Sequence, residues 1–349
     1  MPTGGSMKAA VFHQTGGLEV LQIEEVPYPV PGPQDVIVKV RACGVNHLDL
    51  HSRRGRTRVA PMPHICGSEI AGEIDALGDA VSGLSVGQRV AVAPYLFCGR
   101  CEYCRSGEEV LCLNGDIIGL ASQGGFAEYV RVPASSVIPL PEGLDFVSAA
   151  AVTLSTITAW HMLTVRAPLL PGQDVLVQAA GSGVGSAAIQ IAKLCGARVI
   201  ATAGSDEKLE RARALGADEV INYRTTDLVQ EVRRLTNKRG VDVVVDHIGK
   251  DTWGQSIACL ARKGRLVTCG STSGDVAETN VWLLFIKEIA LIGSYGGTRH
   301  DLAEVLKLVA RGQLKPVVHG TYPLSAIAEA QRLMEERQQF GKLIILPND

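Results

Sequence analysis

The residues of this chain with the clearest chemistry are four cysteines within one short segment. Cys98, Cys101 and Cys104 form the run C-G-R-C-E-Y-C, and Cys112 follows after seven further residues. Four thiolates at such spacing can close a tetrahedral shell around Zn²⁺ and leave no position open for water or substrate. We therefore predict a structural zinc rather than a catalytic one. The alternatives, disulfides or a redox pair, are less compatible with a chain that shows no sign of secretion.

A second informative segment is A-A-G-S-G-V-G, residues 179–185, between a predicted strand and a predicted helix. Backbone amides at such a turn can hold the pyrophosphate of a dinucleotide, helped by the helix N-terminus. Against the pattern G-x-G-x-x-G the segment is degenerate, because Ala180 and Ser182 stand at the first two glycine positions and only Gly185 matches. Its context carries the prediction, and a glycine-rich packing turn is the alternative.

The end of the next predicted strand bears on the choice of cofactor. That strand ends in T-A-G-S at residues 202–205, where an acidic residue would hold the ribose 2′-hydroxyl of NAD. Asp206 and Glu207 come later, with Lys208 and Arg211 one helical turn on. Small, hydroxyl and cationic groups fit a 2′-phosphate better than a bare ribose. We predict NADPH over NADH, with a merely solvated Lys208 as the alternative.

Composition restricts the class of partner. The chain has 349 residues, 46% of them hydrophobic, with a formal net charge of −2 and a pI near 6.5. This charge favours a small-molecule partner over nucleic acid or an anionic membrane. No window approaches the roughly 20 apolar residues of a membrane span. Residues 1–6 lack the features of a signal peptide, so we expect a cytoplasmic protein.

The elements that must position these residues form two patterns. Residues 1–135 show short alternating runs separated by Pro and Gly, which predicts an irregular antiparallel β domain. From about residue 140, apolar runs alternate with helical segments, which is the rhythm of βαβ units. The predicted strands there are 174–178, 198–203, 219–223, 241–248 and 265–269, and the helices are 184–194, 206–215, 228–235 and 252–260. The tail from about Ala290 is expected to rejoin the first domain.

At this level the chain resembles the medium-chain dehydrogenase/reductases. The resemblance rests on A-C-G-V-N-H-L-D (42–49), G-S-E-I-A-G-E-I (67–74), the four cysteines, G-G-F-A-E-Y (124–129), the glycine-rich turn and F-G-K-L (340–343). It implies an α/β protein in which a doubly wound Rossmann sheet is inserted in a GroES-like β-rich catalytic domain. The expected domains are residues 1–136 with 288–349, including the zinc lobe 95–114, and residues 137–287.

The same resemblance implies that the catalytic zinc of the family is lost. At the three positions of its zinc ligands this chain has Asn46, Ser68 and Leu154, and Leu48 replaces the hydroxyl of the proton relay. An amide, a hydroxyl and an alkyl group cannot replace thiolate and imidazole as ligands. A rearranged metal site built from His47, His51 and His64 is the alternative.

What remains resembles the quinone-oxidoreductase and enoyl-reductase branch, which transfers hydride without catalytic zinc. This implies Asn46 as the main catalytic candidate, Asp49 as an organiser of the local backbone and His51 as a proton donor, with Tyr95 as another source of the proton. An arginine run follows the motif, and its members either grip an anionic substrate or are solvated; they are Arg53, Arg54, Arg56 and Arg58.

The resemblance also implies a set of cofactor-binding residues. The glycine-rich turn is expected to bind the pyrophosphate group, the end of the second strand to bind the 2′-phosphate, and two later turns to bind the nicotinamide half. The residues are Gly181, Ser182, Gly183, Val184 and Gly185; Ser205, Lys208 and Tyr223; His247, Gly249, Gly270 and Ser271; with Thr158 and Lys342 in addition.

We therefore expect an NADPH-dependent reductase of quinones or α,β-unsaturated carbonyls with one structural Zn²⁺ per chain, assembled as a homodimer or homotetramer. One alternative is a zinc-type alcohol dehydrogenase, which needs a second metal. An alternative of another class is a catalytically inactive NADPH-binding scaffold or sensor.

Overall fold

The computed structural model of the protein describes residues 5–348, which form two compact units. The first, called the β-rich unit, comprises residues 5–154 and 298–348, and the second, the α/β unit, comprises residues 155–297. No helix within residues 5–348 is long and apolar enough to cross a membrane.

The elements follow in chain order. Residues 5–154 contain β1 (Ser6–Val11), β2 (Gln22–Pro27), β3 (Asp35–Gly44), α1 (His47–Arg53), β4 (Glu69–Leu77), β5 (Arg89–Val92), β6 (Tyr95–Leu96), α2 (Glu102–Arg105), β7 (Asp116–Ile117), β8 (Tyr129–Pro133), β9 (Val137–Pro139) and α3 (Phe146–Ala150). Residues 155–297 contain α4 (Ser155–His161), β10 (Asp174–Val177), α5 (Gly183–Leu194), β11 (Arg198–Ala203), α6 (Asp206–Ala214), β12 (Glu219–Asn222), α7 (Leu228–Leu235), β13 (Val241–Asp246), α8 (Trp253–Ala258), β14 (Leu260–Thr268), α9 (Val281–Ile286) and β15 (Ala290–Gly293). Residues 298–348 contain α10 (Arg299–Ala310), β16 (Val318–Pro323), α11 (Ile327–Glu335) and β17 (Lys342–Leu346).

The β-rich unit is built around a seven-stranded sheet with the order β16-β17-β3-β4-β5-β9, in which β8 also pairs with β3. Most of its pairings are antiparallel, as the alternating runs predict. The last strand, β17, pairs with β3 at Gly44 and Cys43. This pairing brings the F-G-K-L segment beside the G-V-N segment, about 300 residues away in the chain.

The α/β unit contains a six-stranded parallel sheet with the order β12-β11-β10-β13-β14-β15. Its central strands are apolar along their length and buried, because helices cover both faces of a parallel sheet. The order places the first strand of the unit next to the fourth, which is the doubly wound arrangement of a dinucleotide-binding domain.

The units join at different residues from those predicted. β9 pairs with β5, and α3 packs on β3 and β4, so residues 137–154 belong to the β-rich unit. β15 pairs with β14, so residues 288–297 belong to the α/β unit. The sequence-based boundaries at 136/137 and 287/288 are therefore corrected to 154/155 and 297/298. Strand pairing decides membership, and pairing is not visible in local composition.

Candidate functional sites in the two units

The glycine-rich turn between β10 and α5 is shaped to leave backbone N–H groups open at a helix N-terminus. Ser182 caps α5, and its Oγ accepts a hydrogen bond of 2.8 Å from the Gly185 N–H. A Cβ on Gly185 would overlap the carbonyl oxygen of Ala179, so only glycine permits this close approach. Gly181, Gly183 and Val184 complete the turn, which can accept a pyrophosphate.

The residue after β13 adds a side chain to this turn. His247 Nε2 lies 2.8 Å from Ser182 Oγ, while His247 Nδ1 is buried and has no hydrogen-bond partner among the described residues. Burial lowers the pKa of His247, which favours the neutral ring. A buried ring nitrogen without a partner beside an anion-binding turn fits a bound dinucleotide that would satisfy it.

The other residues expected at the nicotinamide half lie on two turns of the same unit. Gly249 has a φ of +91° and forms an isolated bridge with Gly274. Asp246 holds this turn, because its Oδ1 accepts hydrogen bonds from the backbone N–H groups of Ile248 and Gly249. Gly270 and Ser271 follow β14, and Thr158 is buried on α4; the structure assigns none of these three a ligand by itself.

The end of β11 carries the residues expected at the cofactor's 2′-position. Tyr223 Oη and Arg224 Nε lie 2.6 and 3.0 Å from the position that a Cβ of Gly204 would occupy. Ser205 caps α6 at Lys208 N, and Asp206 Oδ1 accepts a hydrogen bond of 2.8 Å from Asn222 Nδ2.

Arg224 was missed from the sequence, although it directly follows Tyr223. Arg224 lies close to Gly204 in space, and Lys208 follows Gly204 closely in the chain. The pairing of β12 with β11 brings Arg224 to this position. The pairing extends to Asn222 and Ala203, so the residues just after each strand lie side by side.

In the β-rich unit a lysine, an amide and a carboxylate form one buried cluster, called here the lysine cluster: Lys342, Asn46 and Glu69. Lys342 Nζ donates 2.7 Å to Asn46 Oδ1 and 2.8 Å to the carbonyl oxygen of Val45, and it lies 2.8 Å from Glu69 Oε2. Lys342 is 4% exposed and Glu69 is 0% exposed, so the ion pair is shielded from water.

The expectation that Lys342 binds the cofactor stays a prediction, and the structure shows which groups of the chain the side chain contacts. Two of the three donors of its ammonium form hydrogen bonds within the β-rich unit, and the ammonium also forms an ion pair with Glu69. The resemblance suggested a ligand role from the F-G-K-L motif, whereas the pairing of β17 with β3 directs the side chain to Asn46.

Lys342 also determines which way the Asn46 amide faces. An ammonium can only donate, so the Asn46 atom 2.7 Å from Lys342 must be the oxygen. The NH₂ group then points the other way, where its one contact among the described residues is a long one of 3.4 Å to the carbonyl oxygen of Gly44. Asn46 is half-buried, so the structure offers a partly accessible N–H donor at this position.

Glu69 is held by backbone as well as by the lysine. Its Oε1 accepts a hydrogen bond of 3.2 Å from the backbone N–H of Leu154. Gly44 provides the space, because a Cβ there would overlap the Glu69 carboxylate. The cluster therefore depends on a glycine two residues before Asn46.

Asp49 organises the backbone around the cluster. It is 2% exposed, and its carboxylate accepts hydrogen bonds of 2.7 Å from Asn46 N and 3.1 Å from Gly67 N. Burial raises the pKa of Asp49 to about 7, although both backbone donors and Lys342 act in the opposite direction. His51 lies at the end of α1, with its ring centroid 6.5 Å from that of His47. Tyr95, the other candidate donor, is 7% exposed.

The positions of the family's catalytic zinc ligands do not fit a metal in this chain. The Ser68 hydroxyl donates 2.7 Å to the carbonyl oxygen of Ile118, Asn46 is engaged by Lys342, and Leu154 offers no side-chain ligand. The rearranged histidine site also fails, because the ring nitrogens of the buried His64 lie 3.1 and 2.8 Å from the carbonyl oxygens of Pro61 and Gly119.

The arginine run is divided between structure and solvent. Arg53 is 1% exposed and contacts Gln331 Oε1 at 2.8 Å, the Gly16 carbonyl oxygen and the Glu335 carboxylate. Arg54 also pairs with Glu335 at 2.8 Å. These two arginines connect the end of α1 to α11. Burial of Arg53 fits neither expected alternative, substrate contact or solvation, whereas Arg54 is exposed. Arg56 and Arg58 are exposed.

The four cysteines converge as the spacing predicts. The sulfur atoms of Cys98, Cys101, Cys104 and Cys112 all lie within 4.8 Å of one another, with Cys101 Sγ 3.5 Å from Cys104 Sγ and 3.8 Å from Cys112 Sγ. At a Zn–S distance of about 2.3 Å, the edge of a regular tetrahedron is about 3.8 Å. This cluster, called here the cysteine lobe, therefore fits a zinc ion.

Backbone groups prepare the lobe for a cation. Hydrogen bonds from the backbone at Arg100 and Cys101 lower the pKa of Cys98 to about 6, which favours the thiolate that metals bind. The lobe is fixed to the start of α10, because Arg299 N donates 2.7 Å to Glu109 Oε1 and the Arg299 guanidinium lies 5.6 Å from the Phe97 ring centroid. Within residues 5–348, no other group of three or more Cys, His, Asp or Glu residues could hold a metal.

Two family models match this chain. The model described as an alcohol dehydrogenase GroES-like domain matches residues 32–142, and the one described as a zinc-binding dehydrogenase matches residues 183–311. Together they include the Asn46 motif, the cysteine lobe and the last three residues of the glycine-rich turn, 183–185.

Relatives of known name cover nearly the whole chain. An NAD-dependent alcohol dehydrogenase of Sulfurisphaera tokodaii is 36% identical over 94% of this chain and 96% of its own. A quinone oxidoreductase of Pseudomonas aeruginosa is 33% identical over 97% of this chain and 99% of its own. Among solved structures, one described as an NAD-dependent alcohol dehydrogenase is 45% identical, with a TM-score of 0.94 over 98% of this chain and 100% of that one.

Proposed function

We propose that this chain, which belongs to the zinc-binding dehydrogenase family of oxidoreductases, is an NADPH-dependent reductase of quinones or α,β-unsaturated carbonyls. In this proposal the cysteine lobe holds a structural zinc, and no metal takes part at the substrate. The bound nicotinamide nucleotide supplies the hydride. The residues of this chain bind the nucleotide, orient the substrate and supply the proton that completes its reduction.

The observation that carries the proposal is the orientation of the Asn46 amide. Lys342 holds its oxygen, so its NH₂ group can donate a hydrogen bond to a substrate carbonyl oxygen. A neutral amide donor is a weak activator compared with a metal ion. A conjugated acceptor spreads the incoming charge over several atoms, so it needs less activation than a simple ketone. This match between a modest donor and a conjugated acceptor supports reductase over alcohol dehydrogenase.

The preference for NADPH is supported by the groups around Gly204. Arg224, Lys208 and the Tyr223 hydroxyl can surround a 2′-phosphate, and Asp206 is already bonded to Asn222. The test is the ratio of kcat/KM for NADPH to that for NADH. We expect Arg224→Gln to reduce this ratio about tenfold, as for the loss of one charged hydrogen bond. Equal use of both cofactors by the unaltered protein would contradict the preference.

Zinc-dependent alcohol dehydrogenase is the second candidate, because several similar proteins are named alcohol dehydrogenase. It needs a second zinc, at positions where this chain has Asn46, Ser68 and Leu154. Elemental analysis separates the two: about one zinc per chain is expected for the reductase, and two would favour the alcohol dehydrogenase.

Activity is tested by anaerobic oxidation of NADPH against quinones, enones, enoyl-CoA thioesters and simple aldehydes. Turnover confined to the conjugated acceptors is expected. Turnover of simple aldehydes alone would overturn the proposal. Tight NADPH binding without turnover of any substrate would instead indicate an inactive scaffold.

We also propose a homodimer formed through the edge of the parallel sheet. β15 is the edge strand of that sheet, and the neighbouring α9 exposes large apolar side chains at Trp282 and Phe285, which are 61% and 63% exposed. An open edge beside an apolar face favours pairing with a second copy. Light scattering should give twice the mass of the chain, and Trp282→Glu with Phe285→Glu should shift it to a monomer.

A cytoplasmic location is supported by the cysteines. None of the nine forms a disulfide, including the half-buried Cys195 and Cys269. Such thiols persist in a reducing compartment. Fractionation of cells that produce the protein should recover it with the cytoplasmic fraction.

A further inference from the structure

A cavity of ≈ 720 Å³ in the α/β unit is lined mainly by cations. Its lining residues are Gln230, Arg233, Arg234, Lys238, Arg239, Gly240, Ala258, Leu260, Arg262 and Lys287. We call it the basic pocket. Among the described residues that line it, none is acidic.

The basic pocket and the glycine-rich turn lie at opposite ends of the strands of the parallel sheet. Gly240 directly precedes β13 and Leu260 begins β14, so the pocket is at the amino ends of the strands. The glycine-rich turn follows the carboxyl end of β10, which is parallel to β13. The pocket is therefore separate from the dinucleotide site.

Two of its six cations are neutralised by neighbours outside the lining. Arg234 pairs with Glu231 at 2.7 Å. Arg239 pairs with the Asp242 carboxylate and lies 3.5 Å from Asp174. These two arginines have carboxylate partners and contribute little net charge.

The other four cations have no carboxylate partner within residues 5–348. Arg262 Nη1 donates 2.8 Å to the Ile286 carbonyl oxygen, and Lys287 Nζ donates 2.7 Å to the Leu260 carbonyl oxygen. A carbonyl accepts the hydrogen bond but does not cancel the charge. The side chains of Arg233 and Lys238 form neither an ion pair nor a hydrogen bond with any other residue in the range 5–348.

These cations are close enough to repel one another. The pKa of Lys287 is lowered, first by its burial and then by Arg233 and Arg262. The repulsion is a cost that the folded chain carries, and a bound anion would relieve it.

We propose that the basic pocket binds an anion with two or more phosphate groups, either inorganic or carried by a nucleotide. Arginine guanidinium groups match phosphate oxygens in pairs, and lysine adds point charges. The four unpaired cations converge in one concavity rather than along a stripe, which favours a compact anion over an extended nucleic acid. This proposal does not depend on the substrate of the reductase.

The test is isothermal titration of the full chain with sodium tripolyphosphate at about 50 mM salt, where charge interactions are weakly screened. The dinucleotide site is first saturated with whichever of NADH and NADPH binds. We expect saturable binding of one anion per chain. A parallel titration with ATP distinguishes the sources, because tighter binding of ATP would show that the nucleoside also contacts the pocket.

Two variants locate the site. Arg233→Gln and Lys238→Gln should each weaken tripolyphosphate binding at least fivefold, and neither residue has a side-chain partner whose loss would unfold the chain. The matched control is Lys263→Gln, which removes an exposed lysine paired with Glu288, next to Arg262 but outside the lining. The control should bind within twofold of the unaltered protein.

Three outcomes would overturn the proposal. They are absence of saturable binding, equal weakening by Lys263→Gln, and binding of a single-stranded oligonucleotide without binding of tripolyphosphate. A thermal shift gives a second readout, because tripolyphosphate should raise the melting temperature of the unaltered protein and of Lys263→Gln, but not of Arg233→Gln.

Discussion

The cysteine lobe and the lysine cluster lie in the same unit and provide for a positive charge in different ways. In the lobe, four sulfur atoms lie within 4.8 Å of one another and are arranged to recruit a cation from solution. In the cluster, one ammonium nitrogen lies within 2.8 Å of three oxygen atoms. The lobe must acquire its cation, whereas the cluster carries one covalently in Lys342.

This difference has a consequence for chemistry. A zinc held by four thiolates has no open position, whereas the ammonium of Lys342 donates two hydrogen bonds, to the Val45 carbonyl oxygen and to Asn46 Oδ1. A zinc in the lobe would therefore not contact a substrate directly. The lysine cluster still acts on its surroundings, because it turns the Asn46 NH₂ group away from Lys342, while the lobe braces the segment between β6 and β7.

The largest effect is expected from breaking the lobe with Cys112→Ser. Zinc content should fall from about one per chain to near zero, because three thiolates hold the ion far less tightly. Structural zinc contributes several kcal/mol to folding, and about 4 kcal/mol corresponds to a melting temperature lower by roughly 10 °C. Elemental analysis and calorimetry measure both. Cys195→Ser, outside the lobe, is the control and should keep its zinc; a Cys112→Ser protein with full zinc would refute the assignment.

The next effect is expected from removing the ammonium group of Lys342. Lys342→Met leaves Glu69 buried without a counter-charge, so the free energy of unfolding should fall by about 3–5 kcal/mol while zinc content stays unchanged. Adding Glu69→Gln should recover part of that loss. Urea denaturation measures the change. Lys307→Met, which breaks the exposed pair of Lys307 with Glu304, should cost under about 1 kcal/mol. Equal losses for Lys342→Met and Lys307→Met would show that the buried pair has no special role.

A smaller effect on stability, but a clear one on rate, is expected at Asn46. Asn46→Asp keeps the shape and retains an oxygen for Lys342 but removes the N–H donor, so kcat with an enone should fall about 100-fold. Steady-state kinetics measure this, and zinc content should not change. Asn280→Asp is a matched control, because Asn280 caps α9 through an oxygen that aspartate also has. Undiminished turnover by Asn46→Asp would contradict the role of the amide.

The most gradual effect is a slope of stability with pH that comes from Asp49. Burial raises the pKa of Asp49 from 3.8 in the unfolded chain to about 7. The folded state therefore holds a proton that the unfolded state has released between these values. This contribution to stability is complete below about pH 4 and is lost as the pH rises to 7, at about 1.4 kcal/mol per pH unit at most.

Asp49→Asn tests this slope. The variant has no titrating group at position 49, so its stability should lose this fall between pH 4 and 7 even if it is less stable throughout. Denaturant unfolding at several pH values measures the slope. An unchanged slope would assign the titration to another group.

Much of the α/β unit could be predicted from its sequence. β11 and α7 have the predicted bounds, and β10 and α5 differ by one residue, because apolar runs and helix caps are local signals. The convergence of the four cysteines was predicted from spacing alone and is confirmed. Identity as a medium-chain dehydrogenase/reductase was also predicted and is confirmed by the family models.

The misses share a physical cause, since each depended on a partner distant in the chain. β9 and β15 were given to the wrong domains because their pairing strands decide membership. For Arg53 the sequence offered a substrate contact or solvation, and neither anticipated burial against Glu335, which is 282 residues away. Arg224 was overlooked because only the pairing of β12 with β11 brings it to Gly204.

The sequence by itself determined which groups are present: a metal-binding set of thiolates close together in the chain, a glycine-rich turn, and an amide where relatives of this family hold zinc. Only the tertiary structure decided that Lys342 donates to the Asn46 oxygen and pairs with Glu69. The thiolates needed only local chain geometry to meet. The lysine cluster needed β17 to pair with β3, a contact between segments about 300 residues apart, which no local pattern encodes.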